Sequence, residues 1–186
     1  PFAGEASHSH GYKTVGFKYP QTSVGWYRKT FDVPAEDYGK HIWLQFDGIF
    51  RDSQIWINGF YLGHEKSGYA TQTYDISEYL NYGGENLVCV RADASVEEGW
   101  FYEGAGIYRN VSLLVGEPVY FKYNQTVVKT QLNGCVEASA VLVNDTAELV
   151  TRQVELCICD AAGKEVARAA AAVTVPPYGE ETVAAT

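Results

Sequence analysis

The sequence predicts an all-β chain made of two successive sandwiches, and three observations predict it. Apolar and polar residues alternate with a period of two, as in His41 to Phe46, while long stretches of helical 3.6-residue periodicity are missing. The apolar runs are filled by Val, Ile, Thr and Tyr, which suit a pleated, half-buried surface. The 18 glycines, with Pro, Asn and Asp, punctuate the chain at short and regular intervals. With 186 residues, 46% hydrophobic and 14% aromatic, the chain has the material for real cores.

Residues 1 to 24 form a Gly, Ser, His and Tyr-rich entry with a short strand expected around Tyr12 to Phe17. Trp26 to Val33 alternates and is closed by Pro34, which marks a half-buried strand, and Ala35 to Lys40 makes a polar turn. After the strand His41 to Phe46, Ile55-Trp56-Ile57 runs into Asn58-Gly59. That pair is the strongest local signal, because both central residues of a type I′ turn need positive φ. Phe60 to His64 is its return strand and Thr71 to Ile76 a further one. Ser77 to Leu80 reads as one helical turn capped by Asp75 or Ser77. Gly83 to Asn86 turns the chain into the strand Leu87 to Ala92. A Gly and aromatic loop, Glu97 to Gly106, then leads to the strand Arg109 to Val115.

This succession of short strands suits a sandwich or jelly roll, with a boundary at Gly116-Glu117-Pro118. Domains of 1–117 and 118–186 follow. In the second, aromatics thin out and Ala and Val take over. Strands are expected at Val119 to Thr130, Gly134 to Leu142, Gln153 to Cys159, Glu165 to Val175 and from Thr182 onward. Arg168 to Val175 has a rival reading as a short Ala-rich helix. Strand is preferred, because Val173-Thr174-Val175 ends on two prolines like an edge strand.

A net charge of −9 would repel a phosphate backbone, so nucleic acid is excluded as a partner. No apolar run reaches membrane-spanning length, and no membrane partner is expected. Cys89, Cys135, Cys157 and Cys159 lack zinc or redox spacing and read as small core residues. Cys157 and Cys159 share one strand face with Cα atoms about 6.6 Å apart, two strand rises, at the edge of disulfide reach; Cys135 with either remains open. His8-Ser9-His10, near Glu5, lacks a third fixed ligand, and neither metal nor cofactor is expected. The chain opens on Pro1 and has no methionine, as if excised from something longer.

The segments Gly25-Trp26-Tyr27-Arg28-Lys29-Thr30-Phe31 and Gly104-Ala105-Gly106-Ile107-Tyr108-Arg109-Asn110-Val111-Ser112-Leu113-Leu114 frame these strands and the Asn-Gly hairpin. The frame resembles the amino-terminal domain of family 2 glycoside hydrolases, a family that includes β-galactosidases, β-glucuronidases and β-mannosidases. The resemblance implies a galactose-binding-like jelly roll that packs beside a catalytic barrel. The Asp160-Ala161-Ala162-Gly163 turn and strand spacing after residue 118 resemble the immunoglobulin-like sandwich that follows it. Such a sandwich runs to about 100 residues, so its final strands are expected to be missing. Family members occur in the cytoplasm, in lysosomes and in the periplasm. An extracytoplasmic place is implied for a bacterial glycan degrader, and a cytoplasmic one stays open.

Family 2 chemistry is retaining and needs two carboxyl groups about 5 to 5.5 Å apart. In the family both are glutamates on the barrel, so no catalytic residue is assigned here. The expectation is a non-catalytic piece of a β-galactosidase-like enzyme, inactive alone, whose partners are the parent's barrel and, through it, a carbohydrate; the parent is open to homo-oligomerisation. The absence of an obvious basic cluster favours a neutral glycoside. The candidate sugar contacts are Trp100, Tyr102 and Glu103, in a loop that in the family reaches the rim of the active site. In one β-galactosidase branch an aspartate aligns near Trp100, where this chain has an aromatic residue.

Trp26, Trp43 and Trp56 alternate within strands and read as core or inter-domain packing before they read as sugar platforms. Arg51-Asp52 and Arg109 read as paired groups that hold the sandwich together. Asn110, Asn124 and Asn144 open glycosylation triplets of the kind that arises by chance. Three rivals share the fold. A free-standing carbohydrate-binding module requires exposed tryptophans in a row on one face. A compact jelly-roll glycosidase requires acids on its central strands, yet Ile42 to Phe46, Ile55 to Ile57 and Leu87 to Val90 contain no Glu. An adhesive surface sandwich would be told apart by partner binding.

Overall fold

The computed structural model describes residues 24–95 and 106–186. The chain divides into two compact units, Pro1–Val115 and Gly116–Thr186. Every described element is a β-strand or one turn of 3-10 helix, as the all-β expectation has it, and each strand pair whose register is defined runs antiparallel. No helix among the described residues is long and apolar enough to cross a membrane.

Unit 1 runs through β1 (Val24–Val33), a 3-10 turn (Ala35–Asp37), β2 (His41–Phe46), β3 (Ile49–Phe50), β4 (Ser53–Ile57), β5 (Phe60–Glu65) and β6 (Gln72–Asp75). A second 3-10 turn (Ser77–Tyr79), β7 (Gly84–Asp93), β8 (Gly106–Ile107) and β9 (Val111–Gly116) follow. One sheet has the order β1-β7-β4-β5, a second β6-β2-β9, and β3 pairs β8. The period-two alternation sends Ile42, Leu44, Phe46, Ile55, Ile57, Val88 and Val90 into a common core with Val33, Ile49 and Ile76. Burying each such side chain is worth roughly 1.5–3 kcal/mol, which is why register in these strands is fixed.

The hairpin forms as its sequence demands, with φ of 48° at Asn58 and 88° at Gly59. Asn58 does more than turn the chain. Its Nδ2 donates to the Tyr79 carbonyl at 2.7 Å and to Asn86 Oδ1 at 2.8 Å, and its Oδ1 accepts from the Leu87 amide at 2.8 Å. The hairpin is thereby tied to β7. Before the second 3-10 turn, the Ser77 amide and hydroxyl both donate to Asp75 Oδ1, and Ser77 Oγ in turn accepts from the Ile42 amide. Gly84 already belongs to β7, so the turn expected over Gly83 to Asn86 is shorter than its sequence suggests.

The tryptophans depart from the core reading. Ile55 and Ile57 take the inward positions of β4, so Trp56 between them faces outward, and Trp26 is 53% exposed. On the outer face of the first sheet, register aligns Arg28, Cys89, Trp56 and Tyr61 in one cross-strand row, and Trp26, Arg91, Gln54 and His64 in the next. Trp43 is half-buried and stacks on His41, with ring centroids 5.4 Å apart. Alternation separates two faces but does not say which is inner; the branched aliphatics won because they pack without leaving a polar ring atom unsatisfied.

Unit 2 comprises β10 (Val119–Phe121), β11 (Val127–Thr130), β12 (Val136–Asn144), β13 (Val150–Cys159), β14 (Glu165–Val175) and β15 (Gly179–Ala185). β12 lies between β10 and β11 on one side and β15 on the other, and β13 pairs β14. Val154, Val173, Val175 and Val183 meet Ala140 and Leu142 in its core. The run expected over Val119 to Thr130 is two strands, because Asn124 takes φ of 57° and the Gln125 amide donates to the Lys122 carbonyl at 3.2 Å. The Ala-rich run Arg168 to Ala172 is strand, held in register against Cys157 to Gln153.

Cysteine as core filler holds poorly: Cys157 and Cys159 are exposed, Cys89 and Cys135 half-buried, and all four are free thiols. Asn144 is fully buried. Its Nδ2 donates to the carbonyls of Glu148, Val175 and Pro176, and its Oδ1 accepts from the amide and hydroxyl of Thr146. It is a structural clamp between β12 and β14, shielded from any modifying enzyme.

Candidate functional site

Trp100, Tyr102 and Glu103, together with Glu97 and Glu98, lie outside the described residues, as do His8, His10 and Glu5. What the structure describes is the stem from which the Trp100 to Glu103 segment is presented. On the outgoing side, β7 ends at Asp93, whose amide donates to the Arg51 carbonyl at 2.8 Å. The Ser95 amide and hydroxyl donate to Asp93 Oδ1 at 3.1 and 2.6 Å, and Arg91 Nη2 donates to Oδ2 at 2.6 Å. Burial works to raise the Asp93 carboxyl, but the Ser95 donors and the Arg91 guanidinium outweigh it and hold the group below the usual carboxylate range.

The returning side is built on glycine. Gly106 sits at φ 97°, pairs with Phe50 and lies directly against the Tyr27 hydroxyl, where a Cβ would overlap it. Burial raises the Tyr27 phenol above its ordinary value, so it stays protonated under this strand. Tyr108 follows. Its hydroxyl donates to the Gly68 carbonyl at 2.9 Å and its amide to the Gly48 carbonyl at 3.3 Å, while its ring occupies the space a Gly48 side chain would need. Gly68 likewise makes room for the Phe50 ring, which meets Tyr69 edge-on at 5.7 Å.

The arginines are paired as the sequence suggests, but near the surface. Arg109 lies 5.1 Å over the Tyr108 ring and donates to the Asp47 carbonyl, and Arg51 lies 5.9 Å from the Phe50 ring centroid. Asp52, at φ 44°, pairs with His64 Nε2. The stem is therefore an aromatic and glycine scaffold rimmed by charge. The Gly48–Tyr108 and Gly68–Phe50 matches went unread in the sequence; each is a small residue whose meaning depends on a distant ring. Among the described residues no group of three His, Cys, Asp or Glu could hold a metal ion.

The profile of the glycosyl hydrolases family 2 sugar binding domain matches residues 15–117, taking in both framing segments and this stem. The chain belongs to glycoside hydrolase family 2. A β-galactosidase of Bacteroides ovatus is 38% identical over 171 residues, which are 88% of this chain and 20% of that enzyme. A β-glucuronidase of Bacteroides fragilis is 33% identical over 98 residues, 50% of this chain and 14% of that one. Among solved structures, a family 2 member from Bacteroides cellulosilyticus superimposes with a TM-score of 0.87 at 29% identity, over 99% of this chain and 24% of that one. The match thus spans 14–20% of the length of these curated relatives, which include both galactosidases and glucuronidases.

Proposed function

We propose that this chain is the amino-terminal, non-catalytic portion of a family 2 β-galactosidase, with domains 1–117 and 118–186, that braces a catalytic barrel lying elsewhere in a longer polypeptide. The observation that carries this reading is the coverage: the match extends over 88% of this chain but only 20% of the B. ovatus β-galactosidase. In the parent, a terminal β-galactoside would be cleaved by carboxylates on the barrel. The stem at Asp93 and Gly106 would hold the loop with Trp100, Tyr102 and Glu103 at the sugar-binding rim, the rings offering a stacking face and the carboxylate an acceptor. A neutral sugar is favoured over a glucuronide because the sequence presents no obvious basic cluster for an anionic sugar.

The test is a paired assay on the 186-residue chain: hydrolysis of chromogenic β-galactoside, β-glucuronide and β-mannoside, with calorimetric titration of the corresponding sugars. Neither turnover nor binding is expected. Turnover would overturn the bracing reading. Binding without turnover would favour the alternative of a free-standing carbohydrate-binding module, and would put Trp100, Tyr102 and Glu103 first for substitution.

A further inference from the structure

Three aromatic rings form a continuous row across the outer face of the β1-β7-β4-β5 sheet. Trp26 stacks on Trp56 with centroids 5.5 Å apart and planes at 28°, and Trp56 meets Tyr61 at 5.6 Å and 55°. The row bridges from β1 over β7 to β4 and β5, yet Trp26 and Tyr61 remain 53% and 54% exposed. Isolated exposed apolar residues need no explanation, but a contiguous aromatic patch on a sheet face marks a surface that something covers.

We propose that this row is the surface by which unit 1 docks onto the catalytic part of the longer polypeptide. The inference rests on the bracing reading above and names the residues that perform it. Three observations select this occupant. The first is composition: Trp, Tyr and Arg are the residues that dominate protein–protein hot spots, and here two Trp and one Tyr are flanked by Arg28 and Arg91. Arg91 is already engaged by Asp93 at 2.6 Å, whereas Arg28 is exposed at the end of its row. The matching surface is therefore apolar at its centre, with an acceptor, a carboxylate or carbonyl, opposite Arg28.

The second observation is geometry. Trp26 and Trp56 cover part of each other's faces, and Tyr61 is turned away by 55°, so the rings share no plane on which successive sugar units could stack. They do form a ridged surface that interdigitating side chains can fill. The third is length: relatives that match 86–88% of this chain continue for about four-fifths of their sequence outside the match, so a large covalently attached partner is at hand. Covalent linkage makes docking intramolecular and lowers its entropic cost.

Hydroxyl-radical footprinting of the full-length polypeptide tests this without any variant. Trp26 and Tyr61 should oxidise several-fold more slowly than Tyr38, an internal reference that is 79% exposed. Oxidation at a rate matching Tyr38 would overturn the proposal, as would protection that appears only when a β-linked galacto-oligosaccharide is added, since that would make the row a glycan platform. Trp26→Glu with Trp56→Glu, in the full-length polypeptide, should lower the temperature at which hydrolysis of the chromogenic galactoside is lost. If removing residues 1–115 lowers that temperature but the double substitution does not, this surface is wrong and the bracing reading stands. If neither change has an effect, both fall.

Discussion

At single residues, the conformational demands of glycine and buried asparagine separate by magnitude. Gly59 has positive φ but nothing within 4 Å of a would-be Cβ, so Gly59→Ala pays only the left-handed backbone strain, about 1–2 kcal/mol. Gly106 combines positive φ with the Tyr27 hydroxyl in the space a methyl would need, and Gly106→Ala should cost more, about 3 kcal/mol or above, through strain and overpacking together. Urea denaturation of the two variants checks the order; equal midpoints would show that Tyr27 swings aside freely. Asn144→Ala leaves the buried Val175 carbonyl, the part-buried Glu148 and Pro176 carbonyls and the Thr146 amide without this partner, a loss of about 2–3 kcal/mol expected in unit 2. Asp93 sets the pH dependence of the stem. Its folded carboxyl titrates below its unfolded value, so its contribution is complete above the ordinary carboxylate range and is lost as pH falls through the folded value. Asp93→Asn should therefore flatten the acid limb of the unfolding curve, and an unchanged limb would mean that Arg91 and Ser95 do not stabilise the charged form.

At the level of elements, what could be read ahead of the structure was what local physics determines. The Asn58-Gly59 turn, the alternation of His41 to Phe46 and the 3-10 turn over Ser77–Tyr79 each follow from a few neighbouring residues. The break at Lys122 to Gln125 was missed because its signal is one asparagine in left-handed geometry within a run of strand formers. The sequence left Trp26 and Trp56 between core and inter-domain packing, because the choice depends on which face the other sheet covers. β14 shows tertiary pairing overriding propensity: Ala is the best helix former, yet Ala169 to Ala172 extend beside β13. Strand-favouring residues at its exposed positions should help. Ala170→Thr with Ala172→Thr is expected to raise the melting temperature of unit 2, within the roughly 1 kcal/mol span of strand propensity per site. A fall would show that these methyls pack more closely than their exposure suggests.

For the whole molecule, exposed strand edges and net charge oppose each other. Among the described residues β13 pairs only with β14 and β15 only with β12, so each has an edge whose amides and carbonyls have no strand beside them. Such edges template pairing with another chain. The charge of −9 keeps copies apart, and Glu180 and Glu181 place part of it on β15 itself. Charge repulsion between copies is screened over about 8 Å at physiological ionic strength and over about 30 Å at 0.01 M. Self-association of the 186-residue chain should therefore be weak at low salt and grow with added salt, the reverse of an association driven by ion pairs. Sedimentation velocity at high protein concentration and two ionic strengths measures this directly. Ala184→Glu, which adds a third acid beside Glu180 and Glu181 on the exposed side of β15, should shift the high-salt profile back toward monomer if that edge is the one that pairs, because paired strands lie about 4.8 Å apart, inside the screening length of about 8 Å. A monomeric profile at both salts would show that the acidic residues on β15 suffice to guard the edge. Association unaffected by Ala184→Glu would move the contact to β13.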